Sequence, residues 1–282
     1  MPHYQRIVLH LHDGAASRAV MREAAELAHL LGLDMFGVFV EDEAVHGLAA
    51  MPFVRELRLP SHEWHAIDPD RVAAEFRHAA MTAKRLLDDT ARGMGVTCGF
   101  EVRRGDPSGV IADLLRSNDI VVLAAPGASS EALTQSFPRS WQTATRSDAS
   151  VLLLPPGVLR RRGPVVMLLG AIGLRGVRTA AQIARIAKET LVVLGSAAQR
   201  DAATGVARSV GVGETRVRPR DLAEITAAAL QFALADQGER LLVVDREGLL
   251  PEQETAVLRV AAARGTPVLL AGPDVEERRP DA

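Results

Sequence analysis

Residues 101–127 read EVRRGDPSGVIADLLRSNDIVVLAAPG, and this stretch decides the fold class. It begins as a strand, turns at Gly105 and Asp106, continues as a short helix from Pro107 and ends in the apolar run Ile120–Ala124. An aspartate before a proline is a typical helix start, because the carboxylate accepts free backbone N–H groups and proline needs no donor there. A continuous apolar, β-branched run suits a strand buried on both faces of a parallel sheet. The stretch therefore predicts a strand–helix–strand unit of an α/β protein.

The same pattern recurs along the whole chain in two rounds. Apolar runs alternate with Ala-rich segments of helical periodicity, so each half contains five strands and four helices. The strand-like runs are Arg6–His12, Met35–Glu41, Thr97–Arg103, Ile120–Ala124 and Val151–Pro155, then Val165–Leu169, Leu191–Gly195, Thr215–Arg218, Leu241–Asp245 and Pro267–Ala271. The helical segments are Ser17–Leu31, Pro69–Gly93, Pro107–Arg116 and Pro138–Ser147, then Val177–Lys188, Ala198–Val210, Asp221–Ala235 and Pro251–Arg264. The predicted fold class is α/β, with two tandem doubly wound five-stranded parallel sheets.

The stretch PPGVLRRRGP, residues 155–164, is the predicted boundary between the halves. Its prolines and glycines stop helices and strands, and its three arginines keep it in solvent. A contact of these arginines with nucleic acid is the alternative to a solvated linker. We therefore divide the chain into a first domain, a linker, a second domain and a polar tail, at residues 1–156, 157–163, 164–272 and 273–282.

The first half carries an insertion at residues 42–68, where the second half passes from strand to helix within a few residues. Such a long connection in a compact domain is usually a lid, a binding loop or an interface. It is too apolar for a free loop, so we expect a short amphipathic helix that packs on the parent domain, with a partner protein as the alternative. Its large apolar residues are Leu48, Met51, Phe53, Val54, Leu57 and Leu59.

Composition excludes several classes of protein. With 48% hydrophobic and 24% charged residues, the chain is neither disordered nor a disulfide-held miniprotein. Its 33 basic and 35 acidic residues leave a net charge of -2, so no overall positive field draws it to nucleic acid or an anionic membrane. No apolar run reaches the ~20 residues that span a bilayer, and the N-terminus lacks a secretion signal. Since Cys98 is the single cysteine, no internal disulfide forms, and we expect a cytoplasmic location.

The first half resembles a universal stress protein domain over nearly all of residues 6–156. The resemblance rests on RIVLHLHDGAAS at 6–17, FGVFVED at 36–42, the stretch 101–127 quoted above and SVLLLPP at 150–156. In the second half it rests on element order and on PVVMLLG at 164–170, so the chain is similar to tandem universal stress proteins with a diverged second copy. The resemblance implies strand order 3-2-1-4-5 in each half. It also implies an internal pseudo-dimer that pairs the fifth strands, at Val151–Leu154 and Val268–Leu270, and leaves a homodimer of the whole chain open.

In nucleotide-binding members of this family, the loop after the fourth strand reads Gly-x-x-Gly, then nine residues, then Gly-Ser or Gly-Thr. Here Ala124 replaces the first glycine, and Phe137 and Pro138 replace the final pair. Pro138 has no backbone N–H to donate, and the ring of Phe137 is bulky where a phosphate must approach the backbone. A two-residue slip would place Arg139 and Ser140 there instead. We therefore expect a degenerate phosphate loop in the first half.

An adenine nucleotide in an altered site of the first half is the alternative, with ATP or AMP as the ligand. The resemblance would assign to that site Asp13, Val40, Gly127, Ser129, Ser130 and Ser140. Asp13 would be the acid at the end of the first strand, although the spacing to Ser17 aligns His12 with that position instead. Val40 would contact adenine through its backbone, which any side chain allows.

The second half departs further from the nucleotide-binding pattern. Gly170 stands where the acid would be, and the sequence Asp-Arg-Glu-Gly at 245–248 replaces the phosphate loop with two carboxylates. These would repel a triphosphate unless a metal ion intervened. We expect the second half to be structural.

Histidines offer the clearest sign of a reactive centre. All eight lie in the first 78 residues, and His10, His12, His46, His62 and His65 could converge on the insertion. The spacing of His62 and His65 is compatible with one face of a helical turn, the minimum for a metal pair, but surface histidines are the favoured interpretation and a metal site is the alternative. Cys98 lies in a predicted strand, as a small buried thiol does. Because no nucleophile elbow or Walker-type loop is present, we assign no catalytic residue and no metal ligand.

Three functions follow from these observations. The favoured one is a non-catalytic cytoplasmic stress-response or regulatory protein of universal stress type, with degenerate nucleotide loops in both halves, no cofactor and an unknown protein partner. The second is an adenine-nucleotide-binding protein that uses the altered first-half site, a weak ATPase included. The third is a metal-dependent enzyme centred on the histidine-rich insertion.

Overall fold

The computed structural model describes residues 4–11, 18–58, 62–125, 136–155, 160–170, 175–213 and 216–273. Helices and strands alternate in two rounds. The first comprises β1 (Arg6–Leu11), α1 (Arg18–Leu31), β2 (Asp34–Asp42), α2 (Glu43–Ala49), β3 (Arg55–Arg58), β4 (Glu63–Ala66), α3 (Pro69–Met94), β5 (Cys98–Gly105), α4 (Pro107–Leu114), β6 (Asp119–Ala124), α5 (Ser136–Arg146) and β7 (Ser150–Leu154). The second comprises β8 (Val165–Leu168), α6 (Arg175–Ala187), β9 (Leu191–Gly195), α7 (Ala197–Ser209), β10 (Val217–Asp221), α8 (Ala227–Leu234), β11 (Leu241–Asp245), α9 (Pro251–Arg264) and β12 (Val268–Ala271).

Ten of the described strands form one sheet, in the order β10-β9-β8-β11-β12-β7-β6-β1-β2-β5. Neighbouring strands are parallel within each half, and β7 and β12 pair antiparallel where the halves meet. Counting only these strands, each half has the order 3-2-1-4-5, so the predicted fold class is confirmed. The fifth strands meet where the resemblance implied, with Leu152 opposite Leu269.

The helices cover both faces of the sheet, and the two halves share the core on each face. On one face, Leu152 of β7 belongs to the same buried cluster as Met167 and Leu269 of the second half. On the other face, Val151 clusters with Leu270 in the same way. Of the predicted linker 157–163, the structure describes the part from Arg160, which forms neither helix nor strand. Because both cores cross the junction, the domain boundaries stay a prediction from sequence.

Local helix signals are mostly where the sequence places them, with two corrections. Asp106 caps α4 through its carboxylate, as predicted, and Asp68 caps α3 in the same way. Asp221, by contrast, does not open a helix: it ends β10, and α8 begins six residues later with Thr226 as its cap. Pairing with β9 extends the strand through this acidic residue. The predicted helix Pro69–Gly93 runs one residue further, to Met94, and Gly95 follows it in the left-handed conformation.

The insertion contains the expected short helix and a hairpin that was not expected. Helix α2 packs against α3, β2 and β5 of the parent half, in agreement with the prediction. It is followed by the antiparallel pair β3–β4, in which Leu57 lies opposite Trp64. Each strand of this hairpin has only four residues, which is too short for alternation to stand out in the sequence.

Candidate functional site

A cleft of about 410 Å³ opens in the second half at the carboxyl ends of its strands. The residues that line it follow four neighbouring strands: Gly170 after β8, Ser196 after β9, Leu222 after β10 and Gly248 after β11. Strand β8 lies between β9 and β11 in the sheet. The chain passes from β8 outward to β9 and β10 and later returns to β11 on the other side of β8, so the winding direction changes between β8 and β11. Doubly wound sheets bind ligands at such a switch of winding direction. This cleft is the candidate functional site of the second half.

The N-terminus of α6, next to β11, is occupied by an internal carboxylate. The Oδ1 atom of Asp245 accepts the backbone N–H of Gly176 at 2.8 Å, and Asp245 is only 4% exposed. A Cβ atom on Gly176 would lie 2.5 Å from the same oxygen, so only glycine allows this approach. Free N–H groups at a helix start are what anions bind in proteins. Here the anion is the side chain that ends β11.

Before α7, Ser196 is held by a side chain from the first turn of that helix. The backbone N–H and the hydroxyl of Ser196 both donate to Oε1 of Gln199, at 3.1 and 2.8 Å. The amide nitrogen of Gln199 then donates to the backbone oxygen of Gly170, also at 2.8 Å. This one side chain therefore joins the residue before α7 to the segment that follows β8.

Helix α8 has a side-chain cap, and in α9 a first-turn side chain holds the residue that precedes the helix. The hydroxyl of Thr226 accepts the N–H of Ala229 at 3.2 Å, and the N–H of Leu250 donates to Oε1 of Gln253 at 3.0 Å. The first turn of α9 also carries Glu252, which lines the cleft together with Glu224. The two exposed carboxylates make this cleft unfavourable for a polyphosphate and compatible with a neutral or cationic ligand.

Most residues that the resemblance assigns to a first-half site lie outside the described residues. They are Asp13, Gly127, Ser129 and Ser130. Val40 lies buried in β2, opposite Arg103 of β5, and Ser140 is half-buried in α5. Pro138 falls in the first turn of α5, where a helix otherwise presents free N–H groups. The degenerate first-half loop stays a prediction.

The histidines of the insertion do not lie as the sequence suggested. His62 has a left-handed backbone with φ of 56° beside the hairpin, and His65 lies in β4, so their spacing is not that of a helical turn. His46 stacks on Phe76, with ring centres 4.9 Å apart, and its Nε2 lies 3.3 Å from Glu41. Among the described residues, no group of three or more His, Cys, Asp or Glu side chains could hold a metal ion. His12 lies outside them.

The single cysteine is half-buried at the start of β5. Its Sγ donates to Oδ1 of Asp88 at 3.3 Å. Burial, together with this neighbouring carboxylate, raises the pKa of the Cys98 thiol above its ordinary value. Since the thiolate is the reactive form, this environment suits a packing role.

Two arginines at the carboxyl end of the second half were missed by sequence reasoning. Arg175 donates to the backbone oxygens of Pro273 and Ser117, at 2.6 and 2.7 Å, and Arg246 donates to the backbone oxygen of Ser147 at 2.5 Å. Both therefore tie the rim of the second-half sheet to the first half. Burial lowers the pKa of Arg246 below its ordinary value. The sequence does place Arg246 directly after a strand and Arg175 at the start of a helix. It does not show which carbonyl oxygens these two side chains reach.

No helix in the ranges that the structure describes combines the length and the apolarity needed to cross a membrane.

Comparison with known proteins shows the fold. Neither the protein-family models nor the curated proteins contain a match. Among solved structures, the chain is similar to a universal stress protein from Archaeoglobus fulgidus DSM 4304, at 12% identity and a TM-score of 0.67, over 95% of this chain and 97% of that one. It is also similar to a candidate universal stress protein from Pseudomonas aeruginosa UCBPP-PA14, at 12% identity and a TM-score of 0.57, over 96% and 94%. The chain thus has a universal stress protein fold, as the resemblance implied.

Proposed function

We propose that this chain is a non-catalytic, cytoplasmic stress-response protein of universal stress type, which acts by binding, without a cofactor, and has lost nucleotide binding in its second half. The observation that carries the proposal is the contact between Asp245 and Gly176. An internal carboxylate, from the residue that ends the strand before the phosphate-loop position, holds a backbone N–H at the start of α6.

The energetics support this loss. A phosphate at the start of α6 would have to displace a buried, charge-assisted hydrogen bond, which contributes about 1.5–3 kcal/mol. That alone lowers affinity roughly ten- to hundredfold. The displaced carboxylate of Asp245 would then lie beside the phosphate, and two like charges repel strongly in a buried site.

The cleft itself supports a binding role. Its volume of about 410 Å³ lies in the range of small-molecule sites. Its lining combines apolar side chains, such as Leu222 and Ile225, with the carboxylates of Glu224 and Glu252. We therefore assign it a neutral or cationic organic ligand.

Isothermal titration of the full chain with ATP and with AMP, each with Mg²⁺, tests the proposal. We expect no micromolar binding to the native chain. Asp245→Ala frees the N–H of Gly176 and removes the charge, so this variant should gain measurable affinity for ATP. Asp245→Asn is the matched control, because its amide oxygen still accepts the N–H, and it should gain much less.

Hydrogen exchange with and without ATP locates any binding that does occur. Protection by ATP at residues 169–176 and 245–253 would show an intact second-half site and contradict the proposal. Protection confined to residues 124–140, lost in Gly127→Val, would establish the first-half nucleotide site instead.

A further inference from the structure

The two outer edges of the ten-stranded sheet differ in their capacity to pair. At the β10 edge, the N–H of Leu222 donates to the backbone oxygen of Gly195 in β9. Because backbone groups alternate in direction along a strand, Arg220 and Arg218 also face β9. Pro219 then falls among the residues that face outward, and it has no N–H to offer. Proline at such a position protects an edge strand from pairing with another chain.

The β5 edge has no such protection. Strand β5 runs for eight residues without a proline, from Cys98 to Gly105, and β2 is its only partner among the strands that the structure describes. The N–H of Met35 donates to the backbone oxygen of Thr97 at 2.8 Å, which sets the phase of the ladder. Gly99, Glu101 and Arg103 therefore direct their backbone groups to β2. The outward groups belong to Phe100, Val102 and Arg104.

These outward positions are accessible. Val102 is 46% exposed and Arg104 is also exposed, while Phe100 is half-buried under its own half. Helix α2 packs against β5 and leaves the apolar side chains of Val45 and Leu48 exposed. Within the described part of the chain, no strand pairs with these outward backbone donors and acceptors, and a neighbouring element presents apolar surface beside them.

We propose that β5 pairs antiparallel with β5 of a second copy of this chain, about a twofold axis at Val102. Val102 then exchanges both backbone hydrogen bonds with Val102 of the second copy. By the same symmetry, Phe100 of each copy exchanges backbone hydrogen bonds with Arg104 of the other copy. The intervening Glu101 lies directly opposite Arg103 of the second copy, at the close spacing of a non-hydrogen-bonded pair.

Charge selects this register and this partner. Glu101 and Arg103 already form an ion pair within one copy, with 2.7 Å between Nε and Oε1, and both are more than a third exposed. An axis at Arg104 would place two arginines opposite each other, and an axis at Phe100 would leave Glu101 opposite Gly99. The axis at Val102 alone among these three gives two opposite-charge pairs. A strand whose charges complement themselves under a twofold axis fits a second copy of the same chain.

A charge-swap experiment on the full chain tests the pairing. Sedimentation equilibrium should show a dimer of the native chain. Glu101→Arg alone, or Arg103→Glu alone, converts both attractive pairs into repulsive ones and should weaken the dimer by about tenfold or more. The double swap restores complementarity and should restore the dimer. An equimolar mixture of the two single variants should form a heterodimer, because one copy then presents two arginines and the other two glutamates.

Two further variants separate pairing from folding. Val102→Pro removes an outward N–H without touching the β2 ladder, so it should abolish the dimer and leave the circular dichroism unchanged. Arg218→Glu is the matched charge reversal at the β10 edge and should leave the dimer unchanged. A native chain that stays monomeric at its highest soluble concentration overturns the proposal, as does a dimer that survives both Glu101→Arg and Val102→Pro. A monomer whose β5 edge binds an added extended peptide overturns it in favour of peptide recognition.

Discussion

The guanidinium of Arg240, which precedes β11, lies 2.6 Å from the carboxylate of Glu26 on α1, so an ion pair joins the two halves across 214 positions of the chain. Both side chains are mostly shielded, at 11% and 23% exposure. A shielded pair of this kind contributes more than a surface pair, because removal of one partner leaves the other charge poorly solvated.

Arg240→Met should therefore lower the free energy of unfolding by about 1–3 kcal/mol in urea titrations. Combination with Glu26→Gln should cost less than the sum of the two single changes, because the pair acts as a unit. Arg92→Met is the control, since its ion pair with Asp89 lies on the surface and such pairs contribute about 0–1 kcal/mol. Equal losses for Arg92→Met and Arg240→Met would show that the inter-half pair has no special role.

Glu23, one turn before Glu26 in α1, makes the free energy of unfolding depend on pH. Burial raises the pKa of its carboxyl above the ordinary value, with a further rise from Glu26, while Arg22, Arg161 and Arg240 oppose it. A carboxyl whose pKa is higher in the folded than in the unfolded chain binds its proton more tightly when folded. The free energy of unfolding therefore falls as pH rises from the unfolded pKa through the folded one.

Glu23→Gln removes this ionisation and should raise the urea midpoint at pH 7. At a pH below the ordinary carboxyl pKa of about 4.3, both proteins carry a neutral side chain and their midpoints should converge. Midpoints measured in steps between these two limits check the sign. A difference that grows toward acid would contradict the assignment.

Local chemistry and periodicity made much of this fold predictable. Asp106 caps α4 and Gly265 ends α9 because both act on their own neighbours in sequence. The prediction that Asp221 begins a helix was wrong for the opposite reason. Pairing with β9, which is distant in sequence, outweighs the local preference of Asp221 for a helix start. The contact between Asp245 and Gly176 was also beyond reach, since 69 positions separate them. The sequence indicates that the charge of Asp245 disfavours phosphate, but it does not show that the carboxylate binds the start of α6.

Gly176→Ala tests the closeness of that contact. The added Cβ would lie 2.5 Å from Oδ1 of Asp245 and 2.9 Å from Cε of Met167, so the cap must open or the core must shift. We expect a loss of about 1–3 kcal/mol in the free energy of unfolding. Gly109→Ala is a matched control, because Gly109 also donates its N–H to an aspartate but has 3.5 Å of room. That variant should be neutral or more stable by about 0.5–1 kcal/mol, since alanine favours helix.

Arg175 tests which contacts hold the second half against the first. Its guanidinium reaches two backbone oxygens and lies 4.6 Å from the ring centre of Tyr4, and the residue is buried. Lysine keeps the charge but lacks the planar fork that serves both carbonyls and the ring together. Arg175→Lys should therefore cost about 2 kcal/mol in urea unfolding. Arg185→Lys, on the exposed side of the same helix, should stay within about 0.5 kcal/mol of native. If the two variants unfolded alike, the charge of Arg175 alone would suffice, and its fork would not be what ties the halves together.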